Sequence, residues 1–219
     1  MFLKNIEAVI FDLDGTLIDS LDIWHQIDID YLSSKNLEVP PNLHSEIGHL
    51  SFVQTAHYFK NRFNLNDSIE ILLETWNSMA LEQYTYNTPL KPGALKFLTY
   101  LKSHGFKIGL ATSNSTILLT AALKQNNIFD FFDAITTTSE VDKGKDHPDV
   151  YLLAANKLNT DPKNCLVFED ILPAVKGAKS ANMHVIAIED KESLKDKHEL
   201  ISLSDNYIQN YNELFKYLD

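Results

Sequence analysis

From Pro89 onward the chain alternates helical periodicity with short apolar runs, and this alternation restricts the fold more than any other feature. Residues 93–103, 115–125, 149–157 and 173–181 carry apolar side chains at helical spacing. Residues 107–111, 134–137, 164–168 and 184–188 are short β-branched or aromatic runs. Gly105 closes the first of these helices, as a residue free to adopt positive φ does. Helices alternating with buried strands form a parallel sheet covered by helices on both faces. One further strand of this type, residues 6–11, stands near the start and ends at Asp12-Leu13-Asp14-Gly15-Thr16.

Between these parts, residues 20–86 contain no convincing strand. Asp19 or Ser20 is placed to cap a helix bearing Ile23, Ile27 and Tyr31. Ser51 can cap a second with Ala56, Phe59 and Phe63. Asp67 or Ser68 opens a third with Ile71, Leu72, Trp76 and Met79. The expected organisation is therefore an α/β core with a doubly wound parallel sheet, built from residues 1–18 and 87–219. An all-helical insertion, residues 19–86, leaves it after the first strand. A length of 219 residues suits a core plus such an insertion.

Composition excludes several classes. Hydrophobic residues at 44% and charged residues at 22% describe a globular chain, and a net charge of −11 argues against nucleic acid or an anionic membrane as partner. The single cysteine, Cys165, rules out a disulfide within the chain and reads as core packing. No apolar run approaches the roughly 20 residues of a membrane helix. The opening residues run directly into a strand-like segment, leaving no room for a leader peptide, so the cytoplasm is the expected compartment. The charged run 189–197 reads as a solvated turn or helix.

In open α/β sheets, ligands bind at the carboxyl ends of the strands. The residues there are Asp12 and Asp14, then Thr112, Ser113 and Asn114, then Lys143 and Lys145, then Glu169 and Asp170. Carboxylates gathered at one sheet edge repel each other, and a hard dication removes that penalty; oxygen ligands without histidine suit Mg²⁺. A nearby lysine, hydroxyls and the free N–H groups of a helix start complete a site for a phosphoryl group. The seven glycines form no Gly-x-Gly pair, and there is no Walker loop. A carboxylate nucleophile is then plausible: one of Asp12 and Asp14 attacking phosphorus, the other moving the proton. These residues alone do not rank Asp12 over Asp14 as nucleophile.

Four stretches resemble the motifs of the haloacid dehalogenase-like superfamily: Phe11-Asp12-Leu13-Asp14-Gly15-Thr16-Leu17, Leu110-Ala111-Thr112-Ser113-Asn114, Gly144-Lys145 with Pro148-Asp149-x-Tyr151, and Val167-Phe168-Glu169-Asp170. The position of the insertion and the Phe-Glu-Asp form are similar to the β-phosphoglucomutase-like branch, which includes many small-molecule phosphatases. The resemblance implies that Asp12 is nucleophile and Mg²⁺ ligand, and that Asp14 is general acid/base and ligates metal through its carbonyl. It implies that Thr112 and Lys145 hold the phosphoryl group, with Ser113 and Asn114 beside them. Asp170 becomes a Mg²⁺ ligand, with Glu169 next to it directly or through water. The insertion becomes a substrate-selecting cap.

The chain departs from the family pattern at Asp146-His147, where one proline of the third motif is missing; Asp146 is expected to face solvent. Asp14 and Asp170 argue against dehalogenase and phosphonatase chemistry. In the mutase pattern a histidine lies ten residues after the second aspartate; here that position is Trp24, with His25 adjacent. Trp24 and Trp76 read as helix-face packing, Trp24 also being placed to line a pocket. His49 and Ser51 are candidate specificity residues in the loop 48–52. The insertion carries ten acidic residues against Lys35, Lys60 and Arg62, which suits a substrate with one phosphate. The expected activity is hydrolysis of a small phosphorylated metabolite, a sugar or polyol phosphate, through an aspartyl-phosphate. A phosphosugar mutase and a non-catalytic module binding a phosphorylated ligand are the alternatives. Nothing in the sequence sets an oligomeric state.

Overall fold

The computed structural model describes residues 3–218; Met1, Phe2 and Asp219, at the outer ends of the two expected core segments, lie outside the described residues. One sheet contains β1 (Ala8–Phe11), β2 (Lys107–Thr112), β3 (Ala134–Thr137), β4 (Cys165–Glu169), β5 (His184–Ile188) and β6 (Asn206–Ile208). Its order is β3-β2-β1-β4-β5-β6 and every pairing is parallel. β6 has no counterpart in the sequence pattern, because only Ile208 of its three residues is buried. Between β1 and β2 lie α1 (Leu21–Ser34), α2 (Leu43–Ile47), α3 (Phe52–Arg62), α4 (Ile69–Tyr86) and α5 (Ala94–Ser103). The remaining helices are α6 (Thr116–Gln125), α7 (Asp149–Lys157), α8 (Leu172–Ser180) and α9 (Lys197–Leu203). No helix among the described residues is long and apolar enough to cross a membrane.

Strand alternation sorts the core into two layers. Val9, Phe11, Leu110, Leu166 and Phe168 face one cluster with α5, α6 and the 21–86 helices. Ala8, Ile10, Ala111, Cys165 and Val167 face the other, packed on Tyr151, Ala154 and Val175. Burial pushes the Cys165 thiol up to about 12, so it is an inert packing residue. Phe11 stands level with Leu110 on one side and Phe168 on the other. The strand order runs outward from β1 through β2 to β3, then reverses through β4 on the opposite side. That reversal opens a crevice at the carboxyl end of β1.

The helical segment joins the core through a narrow neck. Ile18 bridges Leu90 antiparallel, the Asp19 N–H donates to the Pro89 carbonyl at 2.9 Å, and the Lys91 N–H to the Leu17 carbonyl at 2.9 Å. The buried Lys91 ammonium anchors this neck to the end of β5, through Asp190 Oδ2 at 2.6 Å and the Glu189 carbonyl at 3.1 Å.

Four helices stand where the periodicity gave three, because α2 has five residues and is too short to show a period. Ser51 and Ser68 cap α3 and α4 as expected. Ser20 occupies the N-cap position of α1 but makes no capping bond; its hydroxyl donates instead to Asp14 at 2.6 Å. The buried stripe of α4 is Leu72, Trp76, Ala80 and Tyr84, whereas Ile71 is 51% exposed.

Five helices end in a way the sequence reading did not use. Asn36, Asn64, Asn127, Asn159 and Asn182 follow α1, α3, α6, α7 and α8 at φ of 58°, 50°, 55°, 48° and 60°, as Gly105 follows α5 at 76°. In each case the next residue's N–H closes back on the carbonyl five positions earlier, as in Ile128 to Leu123 at 2.9 Å and Phe106 to Leu101 at 3.1 Å. Asparagine tolerates this left-handed conformation better than other side chains do, so it serves here as glycine commonly does. Ile128 and Met183, the residues after two of these asparagines, are turned into the core. Asn127→Gly is expected to stabilise the fold by about 0.5–1 kcal/mol, and Asn127→Ala to destabilise it by about 1 kcal/mol. Thermal melts should separate the two by roughly 3–8 °C, with wild type between them.

Candidate active site

Asp12 follows β1 directly, and its N–H still pairs with the Phe168 carbonyl at 3.0 Å. Strand alternation therefore puts its side chain on the same face as Glu169 at the end of β4. Lys145, from the loop before α7, reaches both: its ammonium ion-pairs with Asp12 Oδ1 and donates to Glu169 Oε1 at 2.7 Å. Tyr151 donates to the same Glu169 oxygen at 2.8 Å, and the Asp170 N–H donates to Glu169 Oε2 at 3.2 Å. Thr16 donates to Asp170 Oδ1 at 2.9 Å. Asp12, Glu169 and Asp170 are all buried, each with an oxygen within 4.8 Å of the others.

The charges do not balance. Burial raises the Asp12 carboxyl to about 8, even though Lys145 draws it down. Burial, then the charges of Glu169 and Asp12, holds Asp170 well above the carboxylate range. Burial also works against the Lys145 ammonium, but Asp12 and Glu169 hold it above its usual value. Three clustered acids with one ammonium have room for more positive charge, and an all-oxygen donor set fits a hard dication. The space above Asp170 is kept open by Gly15, at φ 75°, where a Cβ would stand 2.5 Å from Asp170 Oδ2.

The Lys145 loop is fixed from two sides. On α8, a Cβ on Gly177 would lie 2.0 Å from the Lys145 carbonyl oxygen, so only glycine lets the loop rest there. From the helical segment, the His49 carbonyl accepts the Lys145 N–H at 2.8 Å. Asp146 is exposed beside His147 Nδ1 at 3.0 Å and does not compete for Lys145.

Asp14 sits in a second network. Its carboxylate accepts from Ser20 at 2.6 Å, from Asn114 Nδ2 at 2.8 Å and from the Tyr84 hydroxyl. Tyr84 in turn accepts from Trp24 Nε1 at 2.7 Å and Asn114 Nδ2 at 3.1 Å. Asn114 also lines the cavity at the strand ends; its amide donates to Asp14, and its N–H donates to Thr112 Oγ1 at 3.0 Å. The Ser113 hydroxyl is buried without a partner among the described residues.

A cavity of about 580 Å³ separates the strand ends from the helices, and Asp12, Asp14, Thr112, Ser113, Lys145 and Asp170 line it. Trp24, Trp76 and His49 reach it from the helical side. Ser51 does not line it; its hydroxyl accepts the Gln54 N–H at 3.1 Å, so its surroundings are those of a helix cap rather than a specificity residue. The run 189–197 is, as expected, a largely exposed helical turn, and Glu192, Ser193, Lys195 and Asp196 in it also form part of the cavity wall.

Residues 9–188 match the family model described as haloacid dehalogenase-like hydrolase. The chain belongs to this family. A hexitol phosphatase B of Escherichia coli is 29% identical over 196 residues, spanning 88% of each chain. A phosphorylated carbohydrates phosphatase of Thermotoga maritima is 28% identical over 181 residues, covering 83% of this chain and 84% of that one. Among solved structures, a β-phosphoglucomutase from Clostridium difficile superposes with a TM-score of 0.83 at 23% identity, over 97% of this chain and 95% of that one. The chain is thus an enzyme of the phosphatase-containing part of the family, and its fold is the family's Rossmann-like α/β core.

Sequence reasoning missed Tyr84, Asp28 and His44. Tyr84 lies on a buried helical stripe and looks like packing. Asp28, on α1, is buried and lines the cavity, yet it accepts no hydrogen bond among the described residues; His44 Nε2 stands 3.8 Å away. Burial pushes the Asp28 carboxyl from 3.8 up to about 7. The groups around the pair are His25 on α1 with Glu192 and Lys195 opposite, and burial holds the His44 imidazole below its usual value. Folding thus favours the protonated Asp28, so stability falls as pH rises from about 4 to 7. Asp28→Asn removes the penalty, worth at most about 4 kcal/mol. Thermal melts of ligand-free protein should show the variant gaining over wild type by several degrees more at pH 8 than at pH 4.

Proposed function

We propose that the protein is a cytoplasmic, Mg²⁺-dependent phosphatase acting on a small sugar or polyol monophosphate through an aspartyl-phosphate on Asp12. The observation that carries this reading is the pairing of two differently treated aspartates in one cavity: Asp12 held by Lys145, Asp14 by neutral donors. Residues 1–18 and 87–219 supply the chemistry, and residues 19–86 act as the cap that selects the substrate.

The Asp12 and Asp170 side chains and the Asp14 carbonyl would hold the Mg²⁺, with Glu169 behind them. When bound, the ion neutralises charge on the phosphoryl oxygens. Thr112, Ser113 and Lys145 position those oxygens. Asp12 forms a bond to phosphorus as the ester P–O bond breaks, and protonated Asp14 gives its proton to the departing alcohol. Ser20, Tyr84 and Asn114 then stabilise Asp14 as a carboxylate, the state needed to take a proton from water. That water attacks phosphorus, frees Asp12 and releases phosphate.

Hydrolysis is favoured over mutation because a bisphosphate intermediate would need a cationic second site. Lys35 pairs with Asp67 at 2.5 Å, Lys60 donates to the Leu65 and Asp67 carbonyls, and Arg62 is exposed; none lines the cavity. The names of the Escherichia coli and Thermotoga maritima relatives point to hexitol and carbohydrate phosphates.

Phosphate release from a panel of phosphomonoesters should show turnover of sugar or polyol monophosphates, lost with EDTA and restored by Mg²⁺. Asp12→Asn should lower it by at least about a thousandfold. Silence across the panel with Mg²⁺ present would reject the reading. Tyr84→Phe should lower kcat by about 10- to 100-fold, the worth of one hydrogen bond to a charged group, with a smaller change in KM. The exposed Tyr86→Phe is the control.

A further inference from the structure

Folded proteins leave few buried polar atoms without a partner. Here six buried side-chain atoms among the described residues lack one: His44 Nε2, His49 Nδ1, Trp76 Nε1 and the hydroxyls of Ser113, Thr136 and Thr138. The first four all belong to residues lining the one cavity above Asp12. Asp28 lines the same cavity, 6% exposed and without a side-chain hydrogen bond among the described residues. α1 presents it by helical spacing, since Leu21, Trp24, His25 and Asp28 all line the cavity. Asp28 Oδ2 and His44 Nε2, at 3.8 Å, are too far apart to satisfy each other.

Such groups cost stability unless a ligand completes them. Ser113 lies beside Thr112 at the strand ends, within reach of the phosphoryl site. The other groups that line the cavity, Asp28, His44, Trp76 and His49, come from α1, α2, α4 and the loop after α2, facing the remainder of the substrate. We infer that Asp28 and His44 form a hydroxyl-reading subsite, which selects a phosphomonoester whose leaving group is an uncharged polyhydroxyl chain or ring. This inference rests on the phosphatase reading above and adds the residues that choose the substrate. Asp28 can accept hydrogen bonds from two neighbouring hydroxyls, while His44 Nε2 exchanges one with a third. When ionised, the same carboxyl repels a second phosphate or a carboxylate on the leaving group. Lys195 is the cation nearest that wall, and it is exposed between Glu192 and Asp196. An Asp28 kept only for structure would have partners within the protein.

The test measures binding apart from turnover. In the Asp12→Asn protein with Mg²⁺, calorimetry gives the dissociation constants of a six-carbon polyol monophosphate and of inorganic phosphate. Adding Asp28→Asn should weaken the polyol phosphate by about 10-fold or more relative to inorganic phosphate, and His44→Ala should act in the same direction. Asp28→Leu, free of any hydrogen-bonding group, should raise the melting temperature of the unliganded protein; a structural aspartate would lower it. An unchanged ratio of the two constants, or no binding of the polyol phosphate, overturns the subsite even if other phosphomonoesters are hydrolysed. A changed ratio in a protein that hydrolyses nothing upholds the subsite and rejects the phosphatase.

Discussion

Three buried carboxylates share one buried ammonium. Removing such charges from solvent costs several kcal/mol apiece unless each finds compensation. Much of the surrounding architecture supplies it. Tyr151 and the Asp170 N–H complete Glu169, Thr16 completes one oxygen of Asp170, and Lys145 is shared between Asp12 and Glu169. The backbone follows the same need: Gly15 clears the space over Asp170, and Gly177 lets the lysine loop lie against α8. Glu169 is engaged by three protein donors, the Lys145 ammonium, the Tyr151 hydroxyl and the Asp170 N–H.

Much of the fold was legible because it rests on two periodicities. Each core strand begins and ends within two residues of its apolar run, apart from β6, where one buried residue in three leaves no pattern. The site was legible where chemistry sits at strand ends, since topology alone brings β1, β2 and β4 side by side. The helical segment was read less well. Ser20 looked like a cap and serves Asp14, whereas Ser51, read both as a cap and as a candidate specificity residue, caps α3 and stands off the cavity. A hydroxyl at a helix start has two possible clients, and sequence does not say which is nearer. Tyr84 and Asp28 were hidden for a related reason, because the partner that makes each meaningful lies far along the chain or outside it.

The two aspartates of the first motif differ in surroundings more than their spacing suggests. Asp12 faces a cation and other acids, whereas Asp14 faces a hydroxyl, a phenol and an amide. Environments that push two like groups apart are the usual basis for dividing chemical labour between them. Tyr84 and Trp24 come from the helices and Asn114 from the core, so the second environment is complete only with both parts in contact. The His49 carbonyl on the Lys145 N–H gives the first environment a similar dependence.

The neck adds a consequence of another kind. Ile18 and Leu90 are bridged neighbours, although the whole helical excursion lies between them. Antiparallel neighbours at such a separation can be joined by a two-residue turn. To the sheet, then, residues 19–89 are one long loop whose ends already meet, and loop length is thermodynamically cheap. The segment is thus a replaceable module: a lineage can exchange it for another without redrawing the strand ends beneath it.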